Sequence, residues 1–459
     1  MLACGASESA RMMFIQNAVS EHIASDMYQT AVAAGQYFAG ENPTIARYEK
    51  ILYDAKGIAH QDKWSANHKI MTGFYYFAIT QEAQYLLGNG IIFGNDSTAA
   101  KLSGKSKKQD ISARLKDLAV KALNGGVAFG FFNLDHVDAF AVTEFAPLYD
   151  AENGALMAGV RFWVSADENT TRMTLYEIDG YTDYIKRGGN AMQVMQQKRA
   201  YKIKAVGDKK DIEDGTAIYH GENYPGFPII PMWGNDKHKS ELAGRRGTLD
   251  AYDLLNSNLV NNVDEANLIY WTIANCGGMD SLDDQKFMEQ LRTLHVAHVD
   301  GDSGGANIEA HTVEAPVTAS ATAIETIRQR LFDDFMALDV SSISAGNKTA
   351  TEIIASYQQL DGKTDAFEYC VLDFMASLLA LAGIDDTVSF SRSKVVNRSD
   401  EVSTILAAAE YLDEDTVTTL ICNTLGIADQ AQDIIAKRKS EELSRFAAKE
   451  DIEDDNITE

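Results

Sequence analysis

The sequence has 459 residues, 45% of them hydrophobic and 24% charged, the balance of a folded protein long enough for several compact modules. A formal net charge of −26 excludes a protein that coats nucleic acid through a large basic surface. No run of about 18 apolar residues occurs, so no membrane span is expected. Cys4, Cys276, Cys370 and Cys422 lie far apart with no CxxC spacing, as expected of reduced thiols in a reducing cytoplasm. The start, "MLACGASESARMMF", lacks the basic-then-apolar order of a signal peptide.

In chain order, residues 8 to about 90 read as helical, with apolar residues recurring at three and four: Met12, Ile15, Val19 and Ile23, then Ile70, Phe74, Phe77, Ala78, Gln81 and Tyr85. "YFAGENPTI" between them is a turn by composition, and Gly88-Asn89-Gly90 supplies a helix stop. From Val127 to Tyr219 the period is two, in short runs separated by Asp, Gly and Asn turns, which predicts an antiparallel meander. "ENYPGFPIIPMWGN", 222–235, holds three of the six prolines and reads as a rigid connector.

Helices then return. Leu255, Leu259, Val263, Ala266 and Tyr270 fall on one stripe, and Ile324, Ile327, Leu331, Phe335 and Leu338 on another. Residues 274–316 interrupt them with glycines, acids, a short helix at 283–294 and a strand, "NIEAHTVEA". After "SSISAGNK" comes the longest helical pattern: Tyr357, Leu360, Thr364, Phe367, Val371, Phe374, Leu378 and Leu381. Starting near Thr349, one helix would span about 50 Å at ~1.5 Å per residue. "DDTVSFSRSKVVN" is one more strand, 399–446 is helical, and the acidic tail "KEDIEDDNITE" is expected to be disordered. The fold class expected is α+β, mainly helical. Such long helices suit a protein whose helices pack against copies of itself.

Three motifs invite a chemical reading. Gly301-Asp302-Ser303-Gly304-Gly305 matches the nucleophile loop of trypsin-like serine proteases. That chemistry needs a His base and a buried Asp, delivered by a double β-barrel. Here Ala306 follows instead of Pro, and no "AAHC"-like His lies upstream. His136 sits in a strand-like run, and a long helical region follows Ser303. A tight surface turn explains the glycines and aspartates, although a serine hydrolase using Ser303 stays open as an alternative. His295, His298, Asp300 and Asp302 include an i, i+3 histidine pair but lack the zincin pattern, and no metal is expected. Asp211, Glu213, Asp214 and Gly215 miss the EF-hand spacing. No P-loop or dinucleotide fingerprint appears, which disfavours an ATPase, and no cofactor is expected.

"YFAGENPTI" followed by "NHKIMTGFYYFAITQEAQYLLGNGIIF", the strands of "FAVTEFAPLYDAENGALMAGVRFW", "FPIIPMWGNDKHKSELAGRRGTLDAYDLLNSNLVNNVDEANLIYW" and "VSFSRSKVVNRSDEVSTILAAAEYLDEDTVTTLI" occur in this order. Together they resemble the portal, or head-to-tail connector, proteins of tailed bacteriophages in the long-tailed branch, over most of the chain. Gly90 departs from the family's usual Pro, and the insertion 274–317 is short.

The resemblance implies a non-enzymatic ring, typically of twelve subunits, at one capsid vertex, with double-stranded DNA passing along its axis. The alternative within phages is another head–tail structural protein, such as a tail adaptor. The implied divisions are a wing (1–246), stem helix one (247–273), a clip (274–317), stem helix two (318–340), a tunnel loop (341–348), a long wing helix and strand (349–397), a crown (398–446) and the tail (447–459). The tunnel loop would carry Ser342, Ile343, Ser344, Ala345, Gly346, Asn347 and Lys348. In the clip, Asp283, Asp284, Lys286, Glu289 and Arg292 would face the terminase large subunit. Implied partners are further copies of the chain, that terminase subunit, the head–tail adaptor, and the major capsid and scaffold proteins, in a virion protein made in the host cytoplasm. The acidic net charge fits a conduit, because a basic wall would retain the duplex through counterion release.

Overall fold

The structure, a computed structural model, describes residues 7–53, 57–63, 65–165, 169–204, 212–213, 216–217, 220–266, 269–274, 307–312, 316–341, 350–394, 398–427 and 430–440. The helices are α1 (Glu8–Ala24), α2 (Asp26–Phe38), α3 (Pro43–Ala46), α4 (Phe74–Leu87), α5 (Ser97–Lys101), α6 (Ile111–Gly125), α7 (Arg246–Ala266), α8 (Val317–Phe335), α9 (Ala350–Ser356), α10 (Gln358–Ala382), α11 (Arg398–Ala408) and α12 (Glu414–Leu425), and residues 431–440 are also helical. The strands are β1 (Ile51–Tyr53), β2 (Ala59–Gln61), β3 (Ile91–Phe93), β4 (Val127–Asn133), β5 (His136–Ala141), β6 (Phe145–Tyr149), β7 (Leu156–Val164), β8 (Thr170–Glu177), β9 (Gly180–Arg187), β10 (Gln193–Arg199), β11 (Lys202–Lys204), β12 (Ile212–Glu213), β13 (Thr216–Ala217), β14 (His220–Glu222), β15 (Ile229–Trp233), β16 (Ile269–Ala274), β17 (Asn307–Thr312) and β18 (Val388–Phe390).

The chain divides into two units, Met1–Ala345 with Ser356–Arg392, and Gly346–Ala355 with Ser393–Glu459. In the first, α2, α4, α6, α8 and α10 pack around a three-stranded sheet of order β15-β4-β5. Every residue of β4 from Val127 to Phe132 is buried, so the expected alternation is lost there. Gly130 is the close-approach point: a Cβ would stand 2.6 Å from the Phe374 ring of α10. A second core joins Ile15 and Val19 of α1 to Ala146, Val160, Phe162, Met173 and Leu175 of the five-stranded meander β6 to β10. In the second unit α11 pairs with α12, whose N-cap Asp413 accepts from Thr416 N.

Several expectations are corrected. Residues 8–90 are not one helical region: they include the β1–β2 hairpin and an extended run before α4. The connector 222–235 contains β15, where Pro231 is tolerated because, among the described residues, β15 pairs with β4 alone and its other edge needs no N–H donor. The pattern from Thr349 is two helices, α9 and α10, separated at Tyr357 rather than one rod. α6 is not among the expected elements, although Asp110 caps its N-terminus by accepting from Ser112 N and Ala113 N, and Gly126 closes it at φ 84°.

Candidate functional site: a helix pair and its anchorage

α7 and α8 form an antiparallel pair. At one end Arg245, just before α7, donates from Nε to the carbonyl of Asp334 near the end of α8 at 2.6 Å, and Thr248 lies 3.3 Å from the Asp334 carboxylate. Phe74 of α4 is wedged there, its ring 6.5 Å from Tyr252, 5.1 Å from Phe332 and 5.8 Å from Phe335. At the other end the helices give way to β16 and β17, paired antiparallel from Ile269 with Thr312 to Ala274 with Asn307. The strand expected in "NIEAHTVEA" is therefore present. Tyr270 is not on the α7 stripe: α7 ends at Ala266, and Ile269-Tyr270-Trp271-Thr272-Ile273, rich in β-branched and aromatic residues, pairs with β17 instead. Likewise α8 stops at Phe335, so Leu338 is buried from the segment beyond the helix.

The buried face of α7 is not the apolar stripe. Asp253, Ser257 and Asn261, spaced by four, are buried, whereas Leu255 and Leu259 are half-buried and Val260 and Val263 exposed. The polar face receives an extended strap, 68–72. Asp253 Oδ1 accepts from Thr72 N at 3.0 Å and Thr72 Oγ1 at 2.6 Å, Ser257 Oγ from Ile70 N at 2.9 Å, and Asn261 Oδ1 from His68 N at 2.7 Å. The register matches because four helical residues rise ~6 Å and two extended residues ~6.7 Å. Asn42 Nδ2 donates to the other Asp253 oxygen at 2.8 Å. Burial raises the Asp253 carboxyl above its ordinary range, against the pull of these donors.

The chain leaving α8 is pinned at several points. Met336 takes a left-handed conformation, φ 51°, and ends the helix. Leu338 exchanges two hydrogen bonds with the Gln81 side chain, at 2.8 and 2.9 Å. Arg328 grips both oxygens of Asp339, at 3.0 and 3.1 Å, and Ser341 Oγ at 3.0 Å. Burial would raise the Asp339 carboxyl, but hydrogen bonds from Ser341 and Arg328 hold it below its usual value.

Beside this exit lies a cleft of about 500 Å³ with a buried ion cluster in its wall. Lys363 Nζ of α10 sits 2.6 Å from Glu82 of α4 and 2.8 Å from Glu241, and 3.2 Å from the Phe335 carbonyl. Glu241 is also held by Arg245 at 3.0 Å and by Asn235 Nδ2 at 2.8 Å. Burial pushes the Glu82 carboxyl up to about 7, against the opposing charge of Lys363, while Lys363 is raised by its two carboxylates despite burial.

Most of the residues singled out from the sequence alone cannot be placed relative to this site. Ser342, Ile343, Ser344, Ala345, Gly346, Asn347 and Lys348 of the expected tunnel loop lie outside the described residues, as do Asp283, Asp284, Lys286, Glu289 and Arg292, the 283–294 helix, Ser303, His295, His298, Asp300 and Asp302. Among the described residues no group of His, Cys, Asp and Glu is arranged to hold a metal ion, and no helix is long and apolar enough to cross a membrane. Sequence reasoning missed the strap and the ion cluster. The strap had a signal, the polar i, i+4, i+8 series Asp253, Ser257, Asn261. The cluster had none, because its members come from distant segments.

The family model described as phage portal protein, SPP1 Gp6-like, matches residues 21–445. The portal protein of Bacillus phage SPP1 is 23% identical over 421 residues, 85% of this chain and 79% of that protein. The portal protein of Clostridium phage phiCD119 is 20% identical over 327 residues, 66% of this chain and 68% of that one. Among solved structures, a chain from the virion of a native gene transfer agent particle covers 76% of this chain and 89% of its own, at 12% identity and a TM-score of 0.42. With a family match running from residue 21 to residue 445, the chain belongs to the phage portal protein family.

Proposed function

We propose that this chain assembles into a closed ring at one capsid vertex, through which double-stranded DNA is packaged and ejected. The observation that carries the reading is the inverted packing of α7. Its polar face is consumed inside the subunit, leaving Leu255 and Leu259 half-buried and Val260 and Val263 exposed. An apolar stripe left on a helix calls for a covering surface, and a heterologous contact repeated between identical subunits closes a ring. In this reading α7 and α8 form the stem, the segment between β16 and β17 is the clip that meets terminase and later the head–tail adaptor, and 342–348 faces the channel. The wing and crown meet capsid and scaffold proteins. The role is structural and non-enzymatic, with twelve copies the expected number.

Negative-stain images of the purified chain test this directly. A ring with a central hole is expected; a monomer at all concentrations and salts would overturn the reading. Val263→Asp places a charge on the uncovered stripe. It is expected to abolish rings while leaving the monomer's circular dichroism unchanged.

A further inference from the structure

We propose that Glu82, Lys363, Glu241 and Arg245 form a proton-responsive clamp on the C-terminal end of α8. Both cations reach that end from outside the helix: Arg245 donates to the Asp334 carbonyl at 2.6 Å, and Lys363 to the Phe335 carbonyl at 3.2 Å. Helix C-termini carry unsatisfied carbonyls and the negative end of the helix dipole, so two cations there act as a remote cap. The cap depends on the carboxylates that position the cations. Glu241 is secured three ways, by Arg245, Lys363 and Asn235. Glu82, with its side chain 2% exposed, has Lys363 as its close cation, and Lys363 is shared with Glu241. A buried carboxylate with half of one cation is the weak member and the first to take a proton.

Among the surrounding charges Glu241 opposes the ionised Glu82 and Arg245 favours it more weakly. On α4 the neighbouring titratable group is the Tyr75 phenol, held neutral by burial. The segment before α7 brings Glu241 and Arg245, with Asp236, Lys237 and Lys239 at the cleft rim; α8 brings Asp334 and Arg330; α10 brings Lys363. The cleft gives solvent protons a path to the cluster. When Glu82 is neutral, the four core charges change from balanced to one excess positive. Lys363 then has only Glu241 to oppose it, and its hold on the Phe335 carbonyl loosens. Proton binding thus favours the released end over the clamped one. The burial-raised proton affinity of Glu82 puts this change near neutral pH.

Hydrogen–deuterium exchange of a peptide covering 330–341, measured on the full chain and corrected for intrinsic exchange, tests the clamp. The wild type is expected to show protection that falls several-fold as pH is lowered from about 8 to about 6. Glu82→Gln is expected to stay at the fast level throughout, and Lys363→Arg to keep the response. A wild type without pH dependence overturns the clamp whether or not the variants fold, as does an unchanged midpoint in Glu82→Gln. Subunit number is measured on the same samples by native mass spectrometry, so failure of the clamp and failure of the ring reading are told apart.

Discussion

Asp253 holds Thr72 twice through a single oxygen, accepting its N–H at 3.0 Å and its O–H at 2.6 Å. The second oxygen takes Asn42. Asp253→Ala therefore strips an acceptor from three donors in a buried site. A loss of about 3 kcal/mol is expected, more than for a typical surface change, because unpaired buried donors keep their full desolvation cost. Asp253→Asn keeps one acceptor oxygen and should cost about half as much. Urea unfolding of the two variants checks both the size and the order.

Gly159 of β7 faces the ring of Phe145: a Cβ there would stand 2.0 Å from its Cζ, and Phe145 is fully buried. Gly159→Ala should overpack this core and cost about 1–3 kcal/mol. Adding Phe145→Leu should recover part of the loss, which a double-mutant cycle would show as strong coupling.

The pH dependence of global stability has a definite sign. Burial raises the Glu82 carboxyl from 4.5 to about 7 in the folded chain, so the folded state holds a proton the unfolded chain has released. Its contribution is full below 4.5 and is lost as pH rises through about 7. Glu82→Gln should flatten stability against pH in that window in chemical unfolding. This is the reverse of the local effect at α8: one comparison is with the unfolded chain, the other between two folded arrangements. Lys363→Met leaves two buried carboxylates facing each other and should cost about 3–5 kcal/mol.

If 342–348 faces the channel, Lys348 repeats around the axis as one positive girdle. Lys348→Asp is expected to leave rings intact and reduce DNA packaging or retention. Normal packaging by intact variant rings would remove the loop from the mechanism.

A fluorophosphonate probe should leave the wild type unlabelled at Ser303. Labelling that disappears in Ser303→Ala would instead support a hydrolase.

Much of the fold was legible because its signals are local. The meander from Phe145 to Arg199 announces itself by period-two runs, and Gly88 and Gly90 stop α4 where glycines should. What was illegible depends on partners far away in sequence. The α7 pattern contains an apolar stripe and a polar one, and apolarity alone favours burying Leu255 and Leu259. Residues 68–72 reverse the choice by offering backbone N–H groups that Asp253, Ser257 and Asn261 can accept. Tyr270 fits a helical spacing equally well, and the presence of β17 decides against it. The cluster around Lys363 joins residues from α4, the segment before α7 and α10, which no spacing rule connects.

The pairing of Ala274 with Asn307 means that 275–306 leaves and rejoins the body at one place. The ends of that excursion are already fixed by the strand ladder and the helix pair behind it. Changing its length then carries a closure entropy that grows by about 0.6 kcal/mol per doubling. The stem can thus keep its geometry while the cassette between the strands is exchanged, lengthened or trimmed. Evolution could refit this end of the protein to a new partner without redesigning the rest.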